Sequence, residues 1–331
     1  MRMIKSARIF LAVALIVFSM PSQIYVADAA STSGMLFGPT AFWNTKLPST
    51  QKIHANSSGL VSELVSNTKL NTPWINTTKY STPLYIVDSS ALKKPVSIVQ
   101  NGKTLTWTAL HAACQKGIPI PQNATAAQGT DGHITIWDRS SDKLYEFWKF
   151  KKDAYGKWTA AWGGILSNVS TCGGIMPKVL NPVGGYDMYG ATATGLPVAG
   201  GTILLRELQF GNIPHALALN IVRPKLWKYY AWPAQRSDGF YTGGNAIMEG
   251  QRFRLPPNVT INPTWPPLLK MMVVAARDYG LVVRDQGGCV AFSAEDTTQY
   301  GYNGRISQFY SGLTPGQIAA KFPWSQLKAL A

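Results

Sequence analysis

A predicted β-hairpin at residues 131–148 of this 331-residue chain brings together residue types that can transfer protons and bind sugars. With Ser140 and Ser141 as its loop, directly paired residues share one face of the two strands. The candidate face carries five side chains, His133, Thr135, Trp137, Glu146 and Trp148. Aromatic rings that stack on sugars, beside groups that exchange protons, are what a glycan-cleaving site needs. The hairpin therefore predicts a carbohydrate-active site.

Glu146 is the first candidate for the proton-transfer residue on this face, and His133 lies beside it. Trp137, Trp148 and Thr135 form the predicted substrate-binding surface. Because burial among rings disfavours a charged carboxylate, we expect the pKa of Glu146 to rise, as a general acid requires. The alternative is structural, with Glu146 as a strand-edge charge and His133 in a structural hydrogen bond. A register shift of one residue would reverse the two faces.

Further candidates depend on the kind of bond cleavage. A glycoside hydrolase needs a second carboxylate, and Asp285, Glu207 and Asp131 are favoured because each lies where a strand meets a glycine-containing or short-loop stretch. A polysaccharide lyase needs a base, for which His215 is one candidate, and a cation such as Arg252 to hold a uronate carboxylate. A histidine on an apolar strand is more often a buried structural residue, so both interpretations of His215 remain open.

The cysteines and histidines predict neither a metal site nor a cofactor. Cys114, Cys172 and Cys289 show no zinc spacing, and in an oxidising compartment any two of them could pair. Motifs of nucleotide-binding folds and of α/β-hydrolases do not occur. A thiol hydrolase built from Cys289, His215 and Asp285 is the least favoured enzyme class.

The N-terminus predicts secretion. Residues 1–30 contain three basic residues, an apolar run over 9–20 and small residues around Ala27-Asp28-Ala29, which is typical of a signal peptide. Twelve apolar residues are too few to span a bilayer, which needs about 20. We therefore predict a signal peptide and no membrane partner after its cleavage, with an uncleaved anchor as the alternative.

The charge of the remaining chain limits its partners. Without residues 1–30, 28 Lys+Arg stand against 15 Asp+Glu, a net charge of +13. The bases are scattered and the chain is predicted to be exported, so a nucleic-acid partner is not expected. A basic surface favours an anionic extracellular polysaccharide, whereas the alternative is a surface merely poor in acids and suited to low pH.

The elements that must position these residues are mostly short strands. Period-two patterns separated by Gly, Pro, Asn and Ser clusters predict an all-β fold, an antiparallel β-sandwich of jelly-roll type, in one domain at 31–331. Helices are expected only at the periphery. We place them at 57–67, 266–279 and 315–322. The predicted strands are 83–87, 96–100, 104–108, 133–138, 143–150, 158–162, 202–205, 215–222, 226–232, 251–255, 281–285 and 290–293.

Several longer motifs resemble a family of secreted bacterial proteins that is common in actinobacteria. They are Phe42-Trp43-Asn44 with Leu47-Pro48, Pro73–Thr78, Tyr80–Pro83, Gly132-His133, Glu146-Phe147-Trp148, Ala191–Pro197, His215-Ala216-Leu217, Trp232–Arg236, Glu249-Gly250 and Tyr279-Gly280. The resemblance covers nearly all of residues 36–295. It implies one exported domain, no fixed disulfide and no assigned catalytic residue.

Two function classes follow from these observations. The first is a secreted glycan-active enzyme, either a glycoside hydrolase or a polysaccharide lyase, acting on an extracellular polysaccharide. The second is a non-catalytic protein that binds cell walls or glycans with the same aromatic platform.

Overall fold

Helices make up the smaller part of the secondary structure. The computed structural model describes residues 36–88, 90–300 and 306–331, so the predicted signal peptide lies outside the described residues. The α-helices of the described part are α1 (Ser57–Leu70), α2 (Ala109–Gln115), α3 (Leu205–Phe210), α4 (Pro267–Asp278) and α5 (Pro315–Ala320). Short 3₁₀ helices cover Thr297–Tyr300, Ile306–Phe309 and Trp324–Gln326. No helix of the described residues is long and apolar enough to cross a membrane.

Strands dominate the described residues. They are β1 (Trp74–Asn76), β2 (Leu84–Val87), β3 (Lys93–Lys94), β4 (Val96–Gln100), β5 (Lys103–Thr104), β6 (Ile118–Pro119), β7 (Ile134–Asp138), β8 (Lys143–Trp148), β9 (Lys151–Lys152), β10 (Trp158–Ala160), β11 (Trp162–Ser167), β12 (Lys178–Leu180), β13 (Tyr186–Met188), β14 (Leu217–Ile221), β15 (Arg252–Arg254), β16 (Leu281–Gln286), β17 (Ala291–Ser293) and β18 (Lys328–Ala329).

The largest sheet has six strands in the order β1-β17-β14-β16-β15-β18. Its strands are short apolar runs, and Leu217, Leu219, Val283 and Phe292 are fully buried. Helix α4 packs against it because its apolar residues lie on both sides of Lys270 at helical spacing. Met35–Ala331 form one compact unit.

The predicted hairpin forms β7 and β8 in a four-stranded sheet of order β11-β8-β7-β2. Its register is confirmed, since Trp137 pairs with Leu144 and Thr135 with Glu146. The connection covers the four residues 139–142, and Asp142 has a φ of +50°. Every residue of β7 and Glu146 of β8 are buried, so the middle of the predicted functional face is covered, whereas His133 and Trp148 at its end are only partly buried.

The mostly β content is confirmed, but the purely antiparallel arrangement is wrong. Four strand pairs are parallel: β1 with β17, β2 with β7, β4 with β10 and β14 with β16. Each of these pairs joins strands distant in sequence, and period-two patterning carries no information on strand direction. The sandwich arrangement of the sheets stays a prediction.

All three predicted helices are confirmed as α1, α4 and α5, and α5 begins after Thr314, whose hydroxyl accepts from the Gln317 N–H. The strand predicted at 104–108 is wrong beyond Thr104, because the Thr108 hydroxyl accepts from the His111 N–H and begins α2. The strand predicted at 202–205 is reduced to an isolated bridge between Ile203 and Ala294, because α3 begins at Leu205. Gly211, with a φ of +75°, ends this helix. Residues 226–232 form turns and isolated bridges instead of a strand.

Candidate functional site

A cleft of about 1480 Å³ lies where β14 and β16 end. Asn220 of β14 and Asp285 of β16, which pair in register, line it together with the Gly287-Gly288 turn. The hairpin contributes His133 just before β7 and Trp148 at the end of β8. The cleft therefore joins the largest sheet to the predicted hairpin, as concave ligand sites often join neighbouring elements.

Aromatic rings line much of this cleft. The five rings belong to Tyr80, Trp107, Trp148, Trp162 and Phe240. Trp162 donates its indole N–H to the Met188 carbonyl at 3.0 Å, and Trp148 donates its own to Oδ1 of Asp131 at 3.4 Å. These bonds hold two indoles in place, and the half-exposed Trp107 adds a third ring with 46% of its surface exposed. Rings presented in this way are suited to stacking on sugars.

His133 is a neutral imidazole in the cleft. Its Nε2 lies 3.2 Å from the Ala191 carbonyl, which only accepts hydrogen bonds, so Nε2 carries the hydrogen and Nδ1 holds the lone pair. Burial lowers the pKa of His133 to about 4, and the neighbouring Arg284 acts in the same direction against the raising effect of Asp131. At neutral pH the imidazole of His133 is therefore uncharged.

Three carboxylates gather in and behind the cleft wall. One oxygen each of Asp238, Glu249 and Asp285 lies within 4.8 Å of the others. Burial and then the Asp238 charge raise the pKa of Asp285 to about 7, and burial followed by both neighbouring charges raises the pKa of Glu249 to about 8. We name these three residues the acidic trio.

The sequence singled out only part of the acidic trio. Asp285 was a predicted site residue, and it lies in the cleft as expected. Glu249 stands close to Arg252 and Arg254 in the sequence, but in the described part of the chain no lysine or arginine nitrogen lies within 4.0 Å of any trio carboxylate. Asp238 stands in a loop without a distinguishing pattern, so no sequence signal identified it.

A short loop at residues 190–193 connects His133 to Asp285. Ala191 accepts from His133, whereas the N–H of Ala193 donates to Oδ1 of Asp285 at 3.4 Å. Arg236 holds this loop by donating to the carbonyls of Met188, Gly190, Thr192 and Ala193 at 2.6–3.1 Å. The loop thus contacts both His133 and Asp285 through its backbone.

Glu146 does not line the cleft. Its side chain is fully buried, and its two oxygens accept from the N–H groups of Val198 and Ala199, each at 2.8 Å. The Thr135 hydroxyl lies 3.4 Å away. Burial raises the pKa of Glu146 to about 7, as expected, but the group is closed off from any substrate in the cleft. Trp137 is also packed in the core.

Glu207, His215 and Arg252 lie outside the cleft as well. The Glu207 carboxylate accepts from the Leu204 N–H at 2.9 Å and lies 3.1 Å from Nε2 of His215. Burial acts to lower the pKa of His215, but the Glu207 charge and hydrogen bond act against it, and the pKa is raised overall. Arg252 donates to the Tyr279 carbonyl. Of the six predicted catalytic residues, the cleft contains His133, Asp131 and Asp285.

The three cysteines are free thiols. Cys289 and Asp285 both line the cleft, but His215 does not, so the structure does not assemble the thiol-hydrolase triad.

The sequence matches no family model, no curated protein and no solved structure. Membership in the family of secreted bacterial proteins stays a prediction.

Proposed function

We propose that this protein is a secreted glycan-active enzyme that cleaves an extracellular polysaccharide in the aromatic cleft. The observation that carries the proposal is the loop at 190–193, which binds His133 at one end and Asp285 at the other. Residues 191–193 form a bend and a turn, so both groups are attached to the same short loop. A histidine and an acidic group are thus held in one cleft, beside rings that stack on sugars.

His133 is the proton-transfer residue in this proposal. Its imidazole is neutral, its Nδ1 has a lone pair, and Asp131 beside it stabilises the imidazolium that forms when it takes up a proton. Glu146, the first candidate from the sequence, loses this role because its oxygens are occupied by backbone N–H groups.

The acidic trio contacts the substrate from one side only. Hydrolases hold their two carboxyl groups about 5–5.5 Å or 6.5–9.5 Å apart with the sugar between them. One oxygen of each trio residue lies within 4.8 Å of the others, below the shorter of these separations, and Glu249 does not line the cleft. We therefore assign the second group to His133 and Asp131, which line the same cleft.

A panel of polyuronates, teichoic acid, cellulose and chitin tests the proposal. Reducing-end and unsaturated-uronate assays on the same samples distinguish hydrolysis from elimination. We expect product from at least one anionic polymer, and His133→Gln should lower its rate by about 10²–10⁴-fold. The matched control His54→Gln, at a histidine outside the cleft, should retain the wild-type rate. Equal rates for both variants would refute the assignment.

A non-catalytic glycan-binding protein is the second candidate, and the fixed rings in the cleft favour it independently of any acid–base group. Affinity electrophoresis in the same glycans identifies this outcome as retardation without product. Retardation by an anionic polymer should decrease at 1 M salt, where the screening length is about 3 Å.

A further inference from the structure

The acidic trio is built into the fold rather than scattered on the surface. Glu249 is fixed by Gly250, which has a φ of +88° and whose Cβ, if present, would lie 1.7 Å from the Ala231 carbonyl oxygen. Asp285 is fixed within β16, where its Oδ1 accepts from the Gln286 N–H at 3.0 Å. Asp238, which is exposed, closes the group from the cleft side.

A buried oxygen in the trio has no donor. Glu249 has no exposed surface, and its Oε2 accepts from the Asp238 N–H at 3.2 Å. Its Oε1 is buried and has no hydrogen-bond partner. Oδ1 of Asn220, which pairs in register with Asp285, is a second buried oxygen of the site without a partner. Buried acceptors that lack donors are rare in folded proteins, and each calls for an explanation.

The neighbouring arginines act on the trio through space, but their hydrogen bonds go elsewhere. Against the raising effect of burial, the Arg236 charge acts to lower the pKa of Asp238, and the Arg284 charge acts to lower the pKa of Asp285. Arg236 directs its donors to four backbone carbonyls of residues 188–193. The Nη atoms of Arg284 donate to the carbonyls of Val198 and Gly200 and to the Ser293 hydroxyl. Three carboxylates therefore stand together without a direct ionic partner among the described residues.

We propose that Asp238, Glu249 and Asp285 bind a divalent cation of the calcium class. Calcium prefers oxygen ligands at about 2.3–2.6 Å, so two oxygens on one ion lie at most about 5 Å apart. The trio oxygens meet this limit. Zinc would prefer nitrogen or sulphur ligands, which the trio does not offer.

The proposed ion would leave coordination positions open toward the cleft, because calcium takes 6–8 oxygens. A carboxylate or hydroxyl of an acidic sugar could occupy them. Only this binding of a sugar to the ion rests on the proposed function, and it would make a uronate-containing polysaccharide the substrate class. Binding of the ion itself requires only the described side chains.

Isothermal titration calorimetry with calcium chloride tests the site on the full chain after treatment with EDTA. We expect one ion per chain with a Kd of about 10⁻³ M or tighter, and a melting temperature that rises with calcium. Glu249→Gln and the exposed Asp238→Asn should each weaken binding by about tenfold or more. The matched control Glu63→Gln, outside the cleft, should bind as the wild type does.

Absence of calcium binding, tighter binding of magnesium than of calcium, or unchanged affinity in both trio variants would overturn the proposal. These readouts need no glycan, so they are independent of whether the enzyme proposal holds. Glycan cleavage that persists in EDTA, with no calcium binding, would overturn the cation site and leave the enzyme proposal standing. Calcium binding without any glycan cleavage would support the cation site and overturn the enzyme proposal.

Discussion

Two groups of carboxylates in this molecule differ in the hydrogen-bond donors that reach their oxygens. Glu146 accepts two backbone N–H groups at 2.8 Å, and Glu207 accepts from a backbone N–H and lies against His215. Glu249, in the acidic trio, has a buried oxygen with no donor and two further carboxylates beside it. Burial raises the pKa of Glu146 and of Glu249 alike, so the shift alone does not distinguish them.

This difference distinguishes carboxylates that stabilise the fold from carboxylates that can bind a ligand. A carboxylate that is buried away from the cleft and has a backbone donor on each oxygen ties two segments together and is not accessible to a ligand. A carboxylate that faces other carboxylates is unfavourable by itself and gains from a proton, a cation or a substrate. The first group therefore stabilises the fold, and the second is the candidate for chemistry.

The largest expected effect is on stability at Glu146. Glu146→Ala should lower the free energy of unfolding by about 3–5 kcal/mol, because it leaves the N–H groups of Val198 and Ala199 buried without acceptors. Urea denaturation measures the change. Asp285→Asn, compared in EDTA, should change stability by no more than about 1 kcal/mol, since asparagine keeps the accepting oxygen and removes like-charge repulsion. Similar losses of unfolding free energy for Glu146→Ala and Asp285→Asn would contradict the distinction between the two groups of carboxylates.

The pKa values of His133 and His215 should lie on opposite sides of the usual value of 6.5. His133, with a pKa of about 4, takes up a proton in the unfolded chain before it does in the folded one, so stability should fall as the pH decreases from 6.5 to 4. One pKa unit corresponds to about 1.4 kcal/mol, which gives an effect of about 3 kcal/mol. His215, whose pKa is raised, should remain charged above pH 6.5.

NMR titration of the imidazole nitrogens measures both values directly. His133→Gln should remove the acid-side loss of stability and leave the His215 titration unchanged. A pKa for His133 near 6.5 would contradict the neutral imidazole on which its role depends.

Arg236 sharpens the comparison because it supports the cleft without being part of the trio. Arg236→Lys should destabilise the protein by about 2 kcal/mol, since an ammonium cannot reproduce the fork that reaches four carbonyls. Urea denaturation provides the value. Lys228→Arg, at an exposed site elsewhere, is the control and should have no measurable effect.

The smallest expected effect on stability is at Trp107. With 46% of its surface exposed, Trp107→Ala should change the free energy of unfolding by about 0.5 kcal/mol or less. It should nevertheless weaken retardation by the glycan that the protein binds, as affinity electrophoresis would show. Unchanged retardation would exclude this ring from the sugar platform.

Sequence patterns predicted the local structure well. The hairpin register followed from strand alternation, and α4 and α5 followed from Pro and Thr at their starts. These features depend on residues within one or two turns of each other. The direction of strand pairing and helix α2 were not predicted, because both depend on segments far apart in the chain or on a single capping hydroxyl.

The sequence by itself determined which side chains share a face of the hairpin and that an acidic group stands near the end of β16. Tertiary structure decided which of those groups reaches a ligand. Val198, which covers Glu146, lies 52 residues further along the chain. Asp238, Glu249 and Asp285 come from separate loops and strands. Alternation fixes the side of a strand on which a residue lies, but only long-range packing fixes whether a backbone N–H or an open cleft meets it there.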